Sequence, residues 1–188
     1  MRHALPERME RRHIREAVDY LFQRYGIRGI SMDDISRYKG ISKKTLYQLY
    51  SNKDAVVIDY VSHNVETIFH SFQDWICNEQ NPKDKIRLLN VFLIKLISGI
   101  NQSMLHDIEK YHPLANLLVR QATDSISESM SRIIADGQHK GVFRMDIDAR
   151  LLTEIRMRDL TLAMRETRYS MHRQYQIFAF YLSGLLRH

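Results

Sequence analysis

At 188 residues the chain has room for one or two domains, and three prolines and seven glycines are too few for the turns of an all-β fold. The formal net charge of +6 is confined to one segment: residues 1–53 hold 12 Lys and Arg against 6 Asp and Glu, and the remainder holds 16 of each. A local excess of this kind marks a surface for a polyanion, or else a solvated basic face, while a single cysteine excludes an intrachain disulfide or thiolate zinc site.

Ile14, Ala17, Val18, Leu21, Phe22 and Tyr25 recur at steps of three and four, which predicts a helix over 7–25 stopped by Gly26. Ser31 caps a second helix, with Asp33 and Asp34 in its first turn and an end near Lys39. Gly40 follows where the chain needs positive φ. Ser42 caps a short helix over 43–50. Ile35, Ile41, Leu46 and Leu49 bracket Gly40, the spacing of a helix-turn-helix.

Asn52 caps a long helix that carries Val56, Val61, Val65, Ile68 and Phe72 to about Cys77. Cys77 reads as a small buried hydrophobe. A loop over 78–84 leads to helical periodicity over 86–100, in which Asn90 and Lys95 interrupt an apolar run too short to span a bilayer. A helix over 103–110 stops before Pro113, and another covers 114–139. Gly137 and Gly141 read as stop residues in a break over 137–148. Helices over 151–167 and 173–186 complete an all-α fold of about nine helices. No Gly/Ser-rich linker appears, so the expected division is a head over 1–54 and a helical domain over 55–188. The N-terminal residues lack the apolar run of a signal peptide, which leaves a cytoplasmic location without a membrane partner as the expectation.

On a helix beginning at Lys43, Leu46 and Leu49 face inward, while Lys43 with Tyr47 and Lys44 with Gln48 form two outward rows. Lys43 and Tyr47 suit phosphates; Lys44 and Gln48 suit guanine and adenine edges. Thr45 suits a thymine methyl or a phosphate. Ser31 and Ser42, at the helix starts, join the candidate set. Tyr50 reads as a core aromatic. Arg8, Arg11, Arg12 and Arg15 either touch a DNA backbone or are solvated. One short helix reads few base pairs, so two heads about 34 Å apart on a palindrome are expected. Apolar stripes Leu152, Ile155, Leu160, Ala163, Met164 and Ile177, Phe178, Tyr181, Leu182, Leu185, Leu186 offer a four-helix bundle between two copies. Either stripe could equally serve the chain's own core. Phe69, Phe72, Trp75, Phe92 and Tyr111 are candidates for a ligand pocket, or plain core. The rival is a di-iron bundle, which needs paired E-x-x-H motifs; Glu109–His112 and Glu10–His13 fit that spacing, and His63 with Glu66 is another candidate cluster.

These residues together resemble the TetR family of bacterial transcriptional repressors. The pattern runs through Ile14, Ala17, Leu21, Phe22 and Gly26, then Ser31, Asp34, Ile35, Gly40, Ile41, Ser42, Lys43, Thr45, Leu46, Tyr47, Tyr50, Lys53 and Asp54. It covers about the first quarter of the chain, and the glycine-bounded GVFRMDID resembles the break before the family's last two helices. The resemblance implies a homodimer that binds a double-stranded palindromic operator, is released by a small-molecule effector held in the C-terminal helices, and uses neither cofactor nor catalysis. An activator, or a regulator without an effector, fits the same head. It further implies that Lys53 aims at a phosphate from a helix N-terminus. Lys39 and Ser36 stand where small residues are usual, and Lys44 where many members have glycine.

Overall fold

The structure, a computed structural model, describes residues 7–165 and 170–186, with side chains from Glu10 onward. The side chain of Arg8 and the expected helical residues 166 and 167 lie outside the described residues. Among those described, nine helices follow one another: α1 Glu7–Tyr25, α2 Met32–Lys39, α3 Lys43–Leu49, α4 Lys53–Ile76, α5 Pro82–Ser98, α6 Gln102–Tyr111, α7 Pro113–His139, α8 Ala149–Arg165 and α9 Met171–Leu185. An isolated antiparallel bridge joins Phe143 to Leu186. No single described helix is long and apolar enough to cross a membrane.

Two compact units divide the chain. The first takes in Met1–Glu66 together with Asn101–Arg120. Its core is Val18, Phe22, Ile27, Ile35, Leu46, Val57 and Tyr60 from the first four helices, completed by Ile108 and Ala115. Polar ties hold the later segment to the earlier one. Asp107 accepts the Arg28 amide at 3.2 Å, Asn101 Nδ2 donates to the Gln23 carbonyl at 3.0 Å, and His112 Nδ1 lies 2.8 Å from Asp54 Oδ1.

The second unit is Thr67–Ile100 with Gln121–His188. Phe72, Leu89, Ile94, Met130, Ile134, Phe143 and Leu160 fill its core. Gly137 does not stop α7, which continues to His139; the turn residue is Gly141, at φ 70°. Gly137 is small because the buried Phe143 ring lies on it: a Cβ there would sit 2.1 Å from Phe143 Cδ2. Cys77 is exposed rather than buried, since it lies just past the end of α4.

Three helices start earlier than hydrophobic periodicity predicts, each because a cap outranks the pattern. Asn81 caps α5 and Pro82 occupies its first turn, where a missing N–H costs nothing. Asp148 Oδ1 accepts the Leu151 amide at 2.9 Å ahead of the apolar residues of α8. Ser170 does the same for the Arg173 amide in α9.

Candidate nucleic-acid interface

The turn between α2 and α3 is set by backbone hydrogen bonding. Gly40 adopts φ 71° and ψ 30° and donates to the Arg37 carbonyl, while Ile41 N donates to Ser36 O at 3.0 Å. That pairing satisfies two orphan carbonyls of α2 and redirects the chain. Nothing lies within 4 Å of where a Gly40 Cβ would be, so the glycine answers to its φ and not to space. Ser36 is buried and donates to the Asp33 carbonyl, so a small side chain is kept where α2 packs.

Both motif helices have side-chain caps. Ser31 Oγ accepts the Asp34 amide at 3.2 Å and Asp34 Oδ2 accepts the Ser31 amide at 2.9 Å, a reciprocal box. The Ser31 bonds hold the Asp34 carboxyl below its ordinary value. Ser42 Oγ accepts the Thr45 amide at 3.0 Å, and its hydroxyl lies 2.8 Å from Thr45 Oγ1.

Leu46 is the buried face of α3, and Leu49 is partly buried beside it. Lys43, Lys44, Tyr47 and Gln48 are all exposed, with Tyr47 at 51%. Thr45 is partly buried, and Ser31 and Ser42 are exposed at their caps. Lys43 Nζ donates to Asp33 Oδ2 of α2, an exposed pair that a phosphate would have to outcompete. Lys53 opens α4 half-buried; desolvation pushes its ammonium down, against the opposing pull of Asp107, Asp54 and Asp34.

Two of the four N-terminal arginines are committed inside the head. Arg11 Nη2 donates to the Leu49 carbonyl at 2.9 Å and its guanidinium lies 4.8 Å from the Tyr50 ring centre. Arg15 Nη1 donates to both Asp59 oxygens, at 3.1 and 3.3 Å, and the Tyr50 hydroxyl donates to Asp59 at 2.7 Å. Tyr50 is 2% exposed, and burial, then the Asp59 bond, raises its phenol. These groups therefore fasten the far end of α3 to α1 and α4. Arg12 remains on the surface, 3.4 Å from Glu16. The sequence carries no local signal for these ties, because the partners lie 38 and 44 residues apart.

Elsewhere the candidates separate. Phe72 and Phe92 are buried with ring centres 5.7 Å apart, and Trp75 stands 5.9 Å from Phe92; Phe69 is half-buried. Tyr111 belongs to the first unit, under the Arg28 guanidinium at 4.8 Å. A small, partly open cavity of about 20 Å³ in the second unit is lined by none of these five aromatics but by Ile86, Asn90, Met130, Arg156, Phe178 and their neighbours. Asn90 was visible in the sequence as a polar break in an apolar run; nothing there pointed to Arg156.

On the last two helices Ala163, Phe178 and Leu185 are buried in the chain's own core and cannot also face a second copy. Leu152, Ile177 and Tyr181 are half-buried, and Ile155 is exposed. The outward apolar side chains are instead Leu151, Ile155 and Leu162 on α8, and Met171 and Phe180, the latter 79% exposed, on α9. Among the described residues no three His, Cys, Asp or Glu side chains gather to hold a metal ion. His112 of the Glu109–His112 pair is tied to Asp54.

Comparison with known proteins agrees with this head. Residues 14–60 match the family model described as bacterial regulatory proteins, tetR family. An uncharacterized HTH-type transcriptional regulator, YvaF of Bacillus subtilis, is 30% identical over 83 residues, 44% of each chain. The biofilm operon icaADBC HTH-type negative transcriptional regulator IcaR of Staphylococcus epidermidis is 32% identical over 82 residues, 44% of this chain and 42% of that protein. The chain thus matches under half the length of these relatives. A putative transcriptional regulator from Saccharomonospora viridis, solved with choline, shares the fold at a TM-score of 0.83 and 18% identity, covering 96% of this chain and 99% of the other. Residues 14–60 thus form a head of the tetR-family type, with the cap-and-turn geometry described above, on a chain that shares its whole fold with a solved transcriptional regulator.

Proposed function

We propose that the protein is a DNA-binding repressor that acts as a homodimer on a palindromic operator and is released by a small-molecule effector. One observation carries the reading: α3, capped at its start and fastened at its end, turns Lys44, Tyr47 and Gln48 outward together on the basic head. Lys44 and Gln48 read base edges, and Tyr47, Lys43 and Thr45 hold phosphates. Lys53 adds a phosphate contact from the start of α4, where backbone amides assist. Ser31 and Ser42 act there chiefly as caps that aim the amides of α2 and α3. No step calls for a cofactor or a catalytic residue, and the setting is the cytoplasm, where the DNA is.

Pairing falls to the outward apolar residues of α8 and α9, Leu151, Ile155, Leu162, Met171 and Phe180. Large apolar side chains left exposed on these helices supply apolar area that such pairing would bury. The S. viridis structure holds choline; in this protein we assign the effector to the second unit. Within the first unit, Asn101 at the cap of α6 holds the Gln23 carbonyl and Asp107 holds the Arg28 amide, so an effector that displaces residues 101–120 would bias the head.

The test begins with fragments of the source genome retained by the full chain, followed by fluorescence anisotropy on the tightest one. Lys43→Ala with Tyr47→Ala should abolish binding while leaving the thermal melt unchanged. Affinity should fall steeply with salt as counterions are displaced. Unchanged affinity in the double variant sinks the reading, and a monomer by light scattering at micromolar concentration removes the dimer.

A further inference from the structure

Arg156 lies in the middle of α8 with only 3% of its side chain exposed. A guanidinium at that depth is costly unless its charge and its donors are met. Nε donates to Asn90 Oδ1 of α5 at 2.9 Å, and Nη1 donates to Gln174 Oε1 of α9 at 3.0 Å and to Asp159. Asn90 and Gln174 are themselves 1% and 4% exposed. The countercharge sits differently: the Asp159 side chain is 28% exposed, at the edge of the unit.

Arg156 also forms part of the wall of the small cavity, which is otherwise mostly apolar, with Ile86, Met130, Ile134 and Phe178 around it. Packed apolar residues commonly serve stability as well as a buried ion pair does, so stability alone is a poor reason for a cation here. A fork of guanidinium donors at the wall of an apolar slot is what a carboxylate with an apolar body requires. Leu152 and Tyr181, which line the same cavity, are only half-buried, and the Tyr181 ring centre lies 5.8 Å from the Arg156 guanidinium, so the slot would widen on this side to admit a ligand.

We infer that Arg156 is the charge-reading residue of a site for small amphipathic monocarboxylates, with Asp159 as a resident anion that the ligand's carboxylate displaces. The inference rests on the second unit being the effector domain. Binding breaks no covalent bond; it exchanges one carboxylate for another at the guanidinium.

The test is calorimetric titration of the full chain with hexanoate, octanoate and decanoate, with octan-1-ol and octylamine as controls. One octanoate per chain should bind, and octylamine should not. Arg156→Lys should weaken octanoate at least about tenfold, because a point charge replaces a fork. Asp159→Asn should tighten it about threefold or more, by removing the competing anion. Misfolding does not produce tighter binding, so the second variant guards the first. Absence of heat with all three carboxylates, or equal affinity in wild type and both variants, overturns the inference. If no carboxylate binds while the genomic fragment is still retained, this site falls and the DNA reading stands. If octanoate binds through Arg156 and no DNA is retained, the site stands and the regulator reading falls.

Discussion

Replacing Arg11 by alanine separates two roles that an N-terminal arginine of this head can play. In the structure its guanidinium closes the C-terminal end of α3 through the Leu49 carbonyl at 2.9 Å and lies 4.8 Å from the Tyr50 ring centre. A charged hydrogen bond of this kind contributes about 1.5–3 kcal/mol, and the ring contact about 0.5–1 kcal/mol. Leu49 is only partly buried, so water takes over its carbonyl and the loss falls toward the low end, about 2 kcal/mol. Urea unfolding followed by far-UV circular dichroism should register that loss, with a melting temperature lower by roughly 4–8 °C. Operator affinity should drop as the last turn of α3, which holds Tyr47, loosens. The slope of log affinity against log salt should stay the same, since no phosphate contact is lost. Were Arg11 a phosphate ligand, stability would hold and the slope would shrink by about 0.9; that pattern would refute the assignment.

Asp33→Asn frees Lys43 from its exposed ion pair, worth about 0.2–1 kcal/mol, and removes a negative charge beside the DNA face. Anisotropy at low salt should show affinity improved by roughly two- to fivefold, and weaker binding would contradict the pairing. Gly137→Ala drives a Cβ into the buried Phe143 ring and should cost at least about 1–3 kcal/mol. Adding Phe143→Leu should recover part of that loss, whereas simple additivity in the double variant would show that the ring is not the obstacle. The Ser31 bonds depress the folded Asp34 carboxyl below its ordinary 3.8, so their contribution is present above that value and disappears as pH falls through the depressed one. The gap between the melting curves of wild type and Ser31→Ala should therefore narrow as pH falls below that ordinary value, leaving the pH-independent part that Ser31 contributes as cap of the Asp34 amide; a gap that does not change with pH would disprove the linkage.

Local rules carried the reading of the head. The stripe Ile14 to Tyr25, the caps Ser31 and Ser42, and Gly40 at positive φ all act within four residues of themselves, and the structure has them as expected. Errors arose where a partner is distant or a cap precedes the apolar pattern. Hydrophobic periodicity began α8 at Leu151, but Asp148 starts it at Ala149. Phe178 and Leu185 lie on a stripe that was legible; that it faces inward depends on which helix packs there, and so does the placement of Tyr111 under Arg28. Arg156 was illegible altogether, because its partner Asn90 is 66 residues away and a mid-helix arginine looks like solvated surface.

A head exchanged between relatives by cutting at residue 54 would be torn through its own interior. Leu46 and Tyr50 would travel, while Val57, Tyr60, Ile108 and Ala115, which fill the same space, would stay behind. The transplantable piece is discontinuous, Met1–Glu66 plus Asn101–Arg120. Hybrid regulators that swap operator preference should therefore inherit both stretches, or have the seam repacked residue by residue.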